Sequence, residues 1–193
     1  MEVDEYGWDR IGSTGHSFVR AGGEVRTTIA VHDEVAGLSV VSGVKDMVVM
    51  NSTDSEFWGF IDDPYTTLPP TTDRILATQV SALWRFRPDA LGAVDWAKAY
   101  TDARAALLEA FAGTYSYSLQ QTIYAIGEAI MAAVPEICEV RLALPNKHHF
   151  LVDLAPFGLE NDNEVYYAAD RPYGLIEGEI LADDAPPAGL AWS

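Results

Sequence analysis

At 193 residues, with 49% hydrophobic and 21% charged residues, the chain is large and apolar enough to bury a sizeable core without disulfide staples. Twelve Lys and Arg against twenty-nine Asp and Glu leave a formal charge of -17, a field that repels a polyphosphate backbone and an acidic membrane face, so neither nucleic acid nor membrane is expected as a partner. The single Cys138 offers no internal disulfide and no zinc quartet, the first residues show no secretory leader, and no apolar run reaches bilayer length; the expectation is a protein of the reducing cytoplasm.

Two extended segments, 4–11 and 17–31, flank Gly12-Ser-Thr-Gly15, and Arg20-Ala-Gly-Gly23 predicts a bulge or break in the second. Leu38 to Met50 reads as a long strand. Ile75 to Arg87 reads as another, with Val80, Ala82, Trp84 and Phe86 on one face by the two-residue period, and Pro88 ends it. The period then changes. Trp96, Tyr100, Ala103, Leu107 and Phe111 recur at helical spacing after Asp95, a natural N-cap, with Gly113 past the end. A second helix opens at Ser118, where Ser118-Leu-Gln-Gln121 fits a capping box, and buries Leu119, Ile123, Ile126, Ile130 and Val134 before Pro135 stops it. Two strands follow around Val140–Leu144 and Phe150–Leu154, interrupted by Pro145. Segments 164–169 and 174–181 then pair as a hairpin, and Asp183 to Gly189 begins a loose tail.

From residue 38 the order is strand, strand, helix, helix, strand, strand. An α+β unit, a four-stranded antiparallel sheet with two antiparallel helices on one face, is the economical packing. Residues 34–182 would form that complete unit. Residues 1–33 would be the final β-hairpin of a preceding, incomplete unit, and 183–193 a flexible tail.

Ordinary catalytic signatures are missing: there is no Gly-rich phosphate loop, His-Glu-x-x-His, Gly-x-Ser-x-Gly or cysteine pair. His148 and His149 are neighbours on a strand, pointing to opposite faces, and make poor joint ligands; no metal site is expected. Asn161-Asp-Asn-Glu164 lacks the spacing of a calcium loop and reads as a surface turn. Four stretches combine unusual polar chemistry with apolar surroundings: Phe57-Trp-Gly-Phe60, Tyr65-Thr-Thr-Leu68 with Thr72-Asp-Arg74, Ser118-Leu-Gln120, and Pro145-Asn-Lys-His148. Taken singly, each has a structural explanation: Phe57 as core, Arg74 as an ion-pair partner, Gln120 serving a helix end, Asn146 a turn, His148 a core histidine.

Taken together, they resemble one family. The run Gly43 to Phe60, with Tyr65-Thr-Thr-Leu68, Thr72 to Thr78, Leu144-Pro-Asn-Lys-His-His-Phe150, Asn163-Glu-Val165, Asp170 to Ile176 and His16-Ser-Phe-Val-Arg20, is similar to urate oxidase (uricase) over nearly the whole chain. The resemblance implies the tunnelling fold, with two units per chain and a homotetramer, and the oxidation of urate by dioxygen to 5-hydroxyisourate and hydrogen peroxide without any cofactor. Urate and dioxygen would be the small-molecule partners.

It also implies roles, position by position. Phe57 stands for the aromatic that stacks on the purine, and Arg74 for the guanidinium that grips one edge, a task suited to a planar fork. Gln120 stands for the amide reading the opposite edge, and Leu119 for the backbone N–H beside it, at a helix N-terminus that favours an anion. Asn146 corresponds to the residue beside the dioxygen or water site, and His148 to a member of the proton relay. A lysine and a threonine of the family's first unit have no match here: neither Lys45 nor Lys147 corresponds to the lysine, and Thr66 and Thr67 belong to another block. Full activity is therefore expected to need upstream residues or a second chain. The alternative is a catalytically incomplete remnant that binds urate or serves as a structural subunit.

Overall fold

The computed structural model describes residues 5–35, 37–61, 63–66, 69–169, 171 and 173–193. Its strands are β1 (Trp8–Arg10), β2 (Ser17–Arg20), β3 (Val25–Asp33), β4 (Gly37–Asn51), β5 (Leu76–Phe86), β6 (Ile137–Leu151), β7 (Tyr166–Ala169) and β8 (Leu175–Leu181). Its helices are α1 (Trp96–Gly113) and α2 (Leu119–Ala133). All strand pairings are antiparallel, in one eight-stranded sheet whose path runs β1-β2-β4-β5-β6-β7, with β3 on β4 and β8 on β6.

The expected helix and strand periods direct the packing. Val80, Ala82, Trp84 and Phe86 of β5 and Val140, Leu142 and Leu144 of β6 form one buried face. Against it lie Ala103, Leu107 and Phe111 of α1 and Leu119, Ile123, Ile126 and Ile130 of α2. The short 114–118 connection makes the two helices antiparallel neighbours. Two glycines let α2 approach β8 closely: a Cβ on Gly178 would sit 2.5 Å from Ile123 Cγ2, and one on Gly127 2.8 Å from the Ile180 side chain.

Both helices start where their caps dictate. The Asp95 carboxylate accepts from the backbone N–H groups of Ala97 and Lys98, at 3.1 and 3.0 Å. The Ser118 hydroxyl accepts from Gln121 N at 3.2 Å. The Gln121 amide then reaches back one residue further than a capping box requires, its Oε1 accepting from Tyr117 N at 3.0 Å.

The break expected at Arg20-Ala-Gly-Gly23 is present: Gly22 and Gly23 take positive φ (77° and 85°) and end β2, so the N-terminal region makes three strands. Those strands are hydrogen-bonded into the same sheet: β2 pairs with the end of β4 at Val49–Asn51, and β3 with its start at Gly37–Lys45. Pro145 does not interrupt β6, which runs on from Ile137 to Leu151. The proline sits where the β5 ladder has a gap between Thr78↔Asn146 and Ser81↔Ala143, and its carbonyl accepts instead from the Thr78 hydroxyl at 2.8 Å. Among the described residues the segments after β6 do not pair with each other as the expected hairpin; β8 pairs with Glu139–Pro145 and β7 with His148–Leu151, one after the other along β6.

The expected flexible tail at 183–193 is pinned to the sheet. Pro186 O accepts from Arg85 Nη2 at 2.9 Å, Asp184 pairs with Arg87 at 2.6 Å, and the Arg141 guanidinium lies 4.1 Å from the Trp192 ring centroid. Arg85 is itself locked to Glu139 at 2.6 Å, both buried, so the last residues cover an ion pair that sequence periodicity does not reveal.

Candidate functional site

The residues singled out above belong to segments far apart in sequence, and a short irregular stretch after β4 draws several of them together. Residues 54–57 leave the sheet edge and act as a small extra strand with a neighbour on each side. On one side Phe57 and Thr71 exchange both backbone hydrogen bonds at 2.8 Å, and Arg74 N donates to Ser55 O at 2.9 Å. On the other, Ser55 bridges Ser116 in parallel: Ser116 N donates to Asp54 O at 2.9 Å and Glu56 N to Ser116 O at 2.8 Å. Ser116 is two residues before the N-cap of α2, so Arg74 and the start of α2 flank one common segment.

Arg74 does not form the ion pair that a surface arginine usually forms. Its Nε donates to Ser55 Oγ at 3.2 Å and to Glu56 O at 3.1 Å, and it pairs with no carboxylate among the described residues. The guanidinium carbon lies 5.4 Å from the Phe57 ring centroid. Burial lowers its pKa, the signature of a cation partly withdrawn from water without a counter-ion. The adjoining Asp73 is tied down separately: its carboxylate accepts from the Thr53 hydroxyl at 2.8 Å, and its carbonyl from Thr71 Oγ1 at 2.6 Å. Phe57 is half-buried, with Phe60 stacked on it at 4.5 Å and 20°.

At the α2 N-terminus, Leu119 is buried and Gln120 is exposed. Ser118 caps Gln121 N, and among the described residues neither Leu119 N nor Gln120 N has a protein acceptor. These are the open N–H groups that the first turn of any helix leaves for side chains, water or a ligand.

Asn146 reaches the same end of the sheet from β6. It stands opposite Thr78, four residues after Arg74, and its N–H donates to Gly174 O at 2.7 Å. By the two-residue period Asn146 continues the face of Leu142 and Leu144, which is the helix-covered face. His148 follows on that face but lies where β6 has passed from β5 to β7, opposite Ala169, its ring 5.7 Å from Phe150 and nearly parallel to it. His149 points the other way, with Nδ1 3.0 Å from Lys147 O. Of the Tyr65–Leu68 block, Tyr65 is exposed, the Thr66 hydroxyl contacts Asp63, and Thr67 and Leu68 lie outside the described residues, as do Asp170 and Pro172.

Several neighbours of these residues are not singled out by the sequence. Ser55, Ser116 and Thr122 are all buried, and they attract attention only once the chain folds. Thr122 had one available cue, a hydroxyl four residues after the N-cap and beside the apolar stripe of α2. Glu56 is the other, its carboxylate hydrogen-bonded by the Tyr115 hydroxyl and the Trp58 indole. That hydrogen bond to Glu56, helped by burial, pushes the Tyr115 phenol up to about 12.

Known proteins resemble the chain over most of its length. The uricase family model matches residues 40–177. A uricase from Arthrobacter globiformis is 50% identical over 193 residues, and one from Cyberlindnera jadinii 41% identical over 176. These alignments take in 99% and 86% of this chain but 62% and 58% of the relatives, so the chain spans about three-fifths of their length. The crystal structure of the Arthrobacter globiformis uricase superposes with a TM-score of 0.81 over 94% of this chain and 62% of its own, at 50% identity. A urate oxidase from Bacillus sp. TB-90, at 23% identity, shares the fold with a TM-score of 0.64 over 88% of this chain and 56% of its own. The sheet with its paired helices is the tunnelling fold, and the chain belongs to the uricase family.

Proposed function

We propose that this chain supplies the purine clamp and part of the proton relay of a urate oxidase. The observation that carries the proposal is the pairing of residues 54–57 with both Arg74 and Ser116, which brings a guanidinium, an aromatic ring and an open helix N-terminus to one place. Urate is flat, anionic at neutral pH, and edged by carbonyl oxygens and ring N–H groups. The terminal nitrogens of Arg74 would take one edge as a bidentate fork. Gln120, with the Leu119 N–H, would take the other: an amide can donate to a carbonyl while accepting from a ring N–H. Phe57 would stack on the purine with the face turned away from Phe60.

The net reaction removes two electrons from urate and gives them to dioxygen, which leaves as hydrogen peroxide; water adds to the ring to give 5-hydroxyisourate. Asn146 would hold dioxygen or water above the ring, and His148 would move protons at the edge of the site. No residue here corresponds to the relay lysine and threonine that the resemblance implies. In this reading they come from outside these 193 residues, in upstream sequence or a second chain, and residues 1–33 close a first unit. Assembly as a homotetramer and a cytoplasmic setting belong to the same proposal; among the described residues no helix is long and apolar enough to cross a membrane.

The purified chain mixed with urate in air should bind it and consume urate absorbance and oxygen together. The unmatched lysine and threonine favour one second reading, a remnant that retains the clamp and has lost turnover. Binding without oxygen uptake would select that reading, and absence of binding would remove both.

A further inference from the structure

Arg74 and the start of α2 are joined through three buried hydroxyls that no ligand can touch. Ser55, Ser116 and Thr122 are each 0% exposed. Ser55 Oγ accepts from Arg74 Nε at 3.2 Å, and the Ser55 backbone is bridged to Ser116. Ser116 Oγ donates to Ser118 O at 3.1 Å, while the Thr122 hydroxyl reaches Ser116 Oγ at 2.9 Å and Ser118 O at 3.3 Å. The carbonyl of the N-cap residue, which also accepts from Thr122 N at 3.2 Å, is thereby fastened to the turn before the helix. A short connected path runs from the guanidinium, through Ser55 and Ser116, to the first turn that carries Leu119 and Gln120.

We propose that Ser55, Ser116 and Thr122 are positioning residues that set the distance and angle between the Arg74 fork and the Leu119–Gln120 edge, the inference resting on the urate-clamp reading above. Two arguments support it. The Arg74 Nε–H is occupied by Ser55 Oγ and Glu56 O, which anchors the guanidinium at that nitrogen and leaves its two terminal nitrogens as an end-on fork. The path also uses hydroxyls in the interior, where a hydrogen bond has few competing partners and holds its geometry. A rigid planar ligand gripped at two opposite edges is sensitive to such spacing, since an error at one edge costs the contacts at the other.

The test is urate titration of the full chain under argon, by calorimetry, with native protein, Thr122→Val, Thr122→Ser, Ser55→Ala and Arg74→Ala. Thr122→Val keeps the side-chain volume and removes the hydroxyl; it should raise the urate Kd about 5- to 30-fold, the scale of one buried hydrogen bond. Ser55→Ala should raise it by a similar factor, and Thr122→Ser, which keeps the hydroxyl, should stay within about twofold of native. Binding stoichiometry separates positioning from mere stability: a misfolded fraction lowers the number of sites at constant Kd, whereas displaced groups raise Kd at constant site number. If Arg74→Ala loses binding while Thr122→Val and Ser55→Ala both keep native Kd, the positioning roles are wrong and the clamp stands. If Arg74→Ala also keeps native Kd, or the native chain does not bind, the clamp itself falls and takes the positioning roles with it.

Discussion

Replacing Arg74 by lysine tests the clamp without removing its charge. The native guanidinium spends its Nε–H on Ser55 Oγ and Glu56 O, and in the proposed clamp its terminal nitrogens would take the ligand edge. A lysine ammonium has one nitrogen for both tasks: it can stay with the Ser55 and Glu56 oxygens or move to the ligand. Keeping one charge-assisted contact and losing the other costs about 1.5–3 kcal/mol. At about 1.4 kcal/mol per tenfold, the urate Kd should rise about 10- to 150-fold. Arg74→Ala loses both contacts and strands the buried Ser55 oxygen, so its loss should exceed that of lysine. His148→Ala is the counterpart, because that ring lies against Phe150 where β6 pairs with β7, the place proposed for proton transfer and not for edge recognition. It should hold the Kd within about threefold while lowering oxygen uptake about 10²- to 10⁴-fold in any assembly that turns over. Anaerobic calorimetry gives the first quantity and an oxygen electrode the second. A lysine variant that binds like native protein, or equal loss of affinity from the arginine and histidine changes, would refute the assignment of edge recognition to Arg74.

Ser118→Ala removes the acceptor of Gln121 N and should lower stability by about 1 kcal/mol in urea denaturation. Burial alone would raise the Glu139 carboxyl, but the hydrogen bond and charge of Arg85 and the bond from Arg141 outweigh it and hold the pKa below the ordinary value. The folded state thus takes up this proton less readily than the unfolded chain; the stabilisation is complete above the ordinary glutamate range and is lost as pH falls through the lowered value, so acid denaturation curves should steepen below about pH 4.5. Burial pushes the Cys138 thiol up, so iodoacetamide at pH 8 should leave the folded chain unlabelled and react after unfolding. The net charge of -17 repels an anion at long range while the Arg74 contact acts directly, so raising salt from about 10 to 150 mM should leave urate affinity unchanged or improve it; a steep fall would mean that diffuse charge, not a local fork, holds the ligand.

Local signals made most of the fold legible. Asp95 and Ser118 announce helix starts because capping is a matter of a few adjacent residues. The alternation at Val80–Phe86 announces a half-buried strand because side chains follow a period of two. What could not be read was every feature settled by a partner far along the chain. Pro145 looks like a strand breaker until Thr78, 67 residues away, supplies a hydroxyl to its carbonyl. The last residues look like a polar tail until Arg85 donates to Pro186 across 101 positions. Proline and acidic runs have loop-like composition, and composition does not record the buried cation that they cover.

The candidate site divides along the same line. Phe57, Arg74, Gln120, Asn146 and His148 are conspicuous as residue types, because fork, amide, ring and imidazole chemistry is rare in apolar surroundings. Their supports are ordinary serines and a threonine, individually indistinguishable from surface hydroxyls. Ser55 and Ser116 are set apart only by pairing across the gap between the β4 edge and the α1–α2 connection, and that pairing exists because α1 packs on the sheet and returns the chain to its starting end. The same backbone segment then serves Arg74 on one side and α2 on the other, so in the proposed clamp the separation of the two ligand edges would be fixed by hydrogen-bond lengths rather than by flexible side chains. A rigid planar anion is well matched to such a frame, because recognition at both edges then needs reorganisation of only the terminal guanidinium and amide groups.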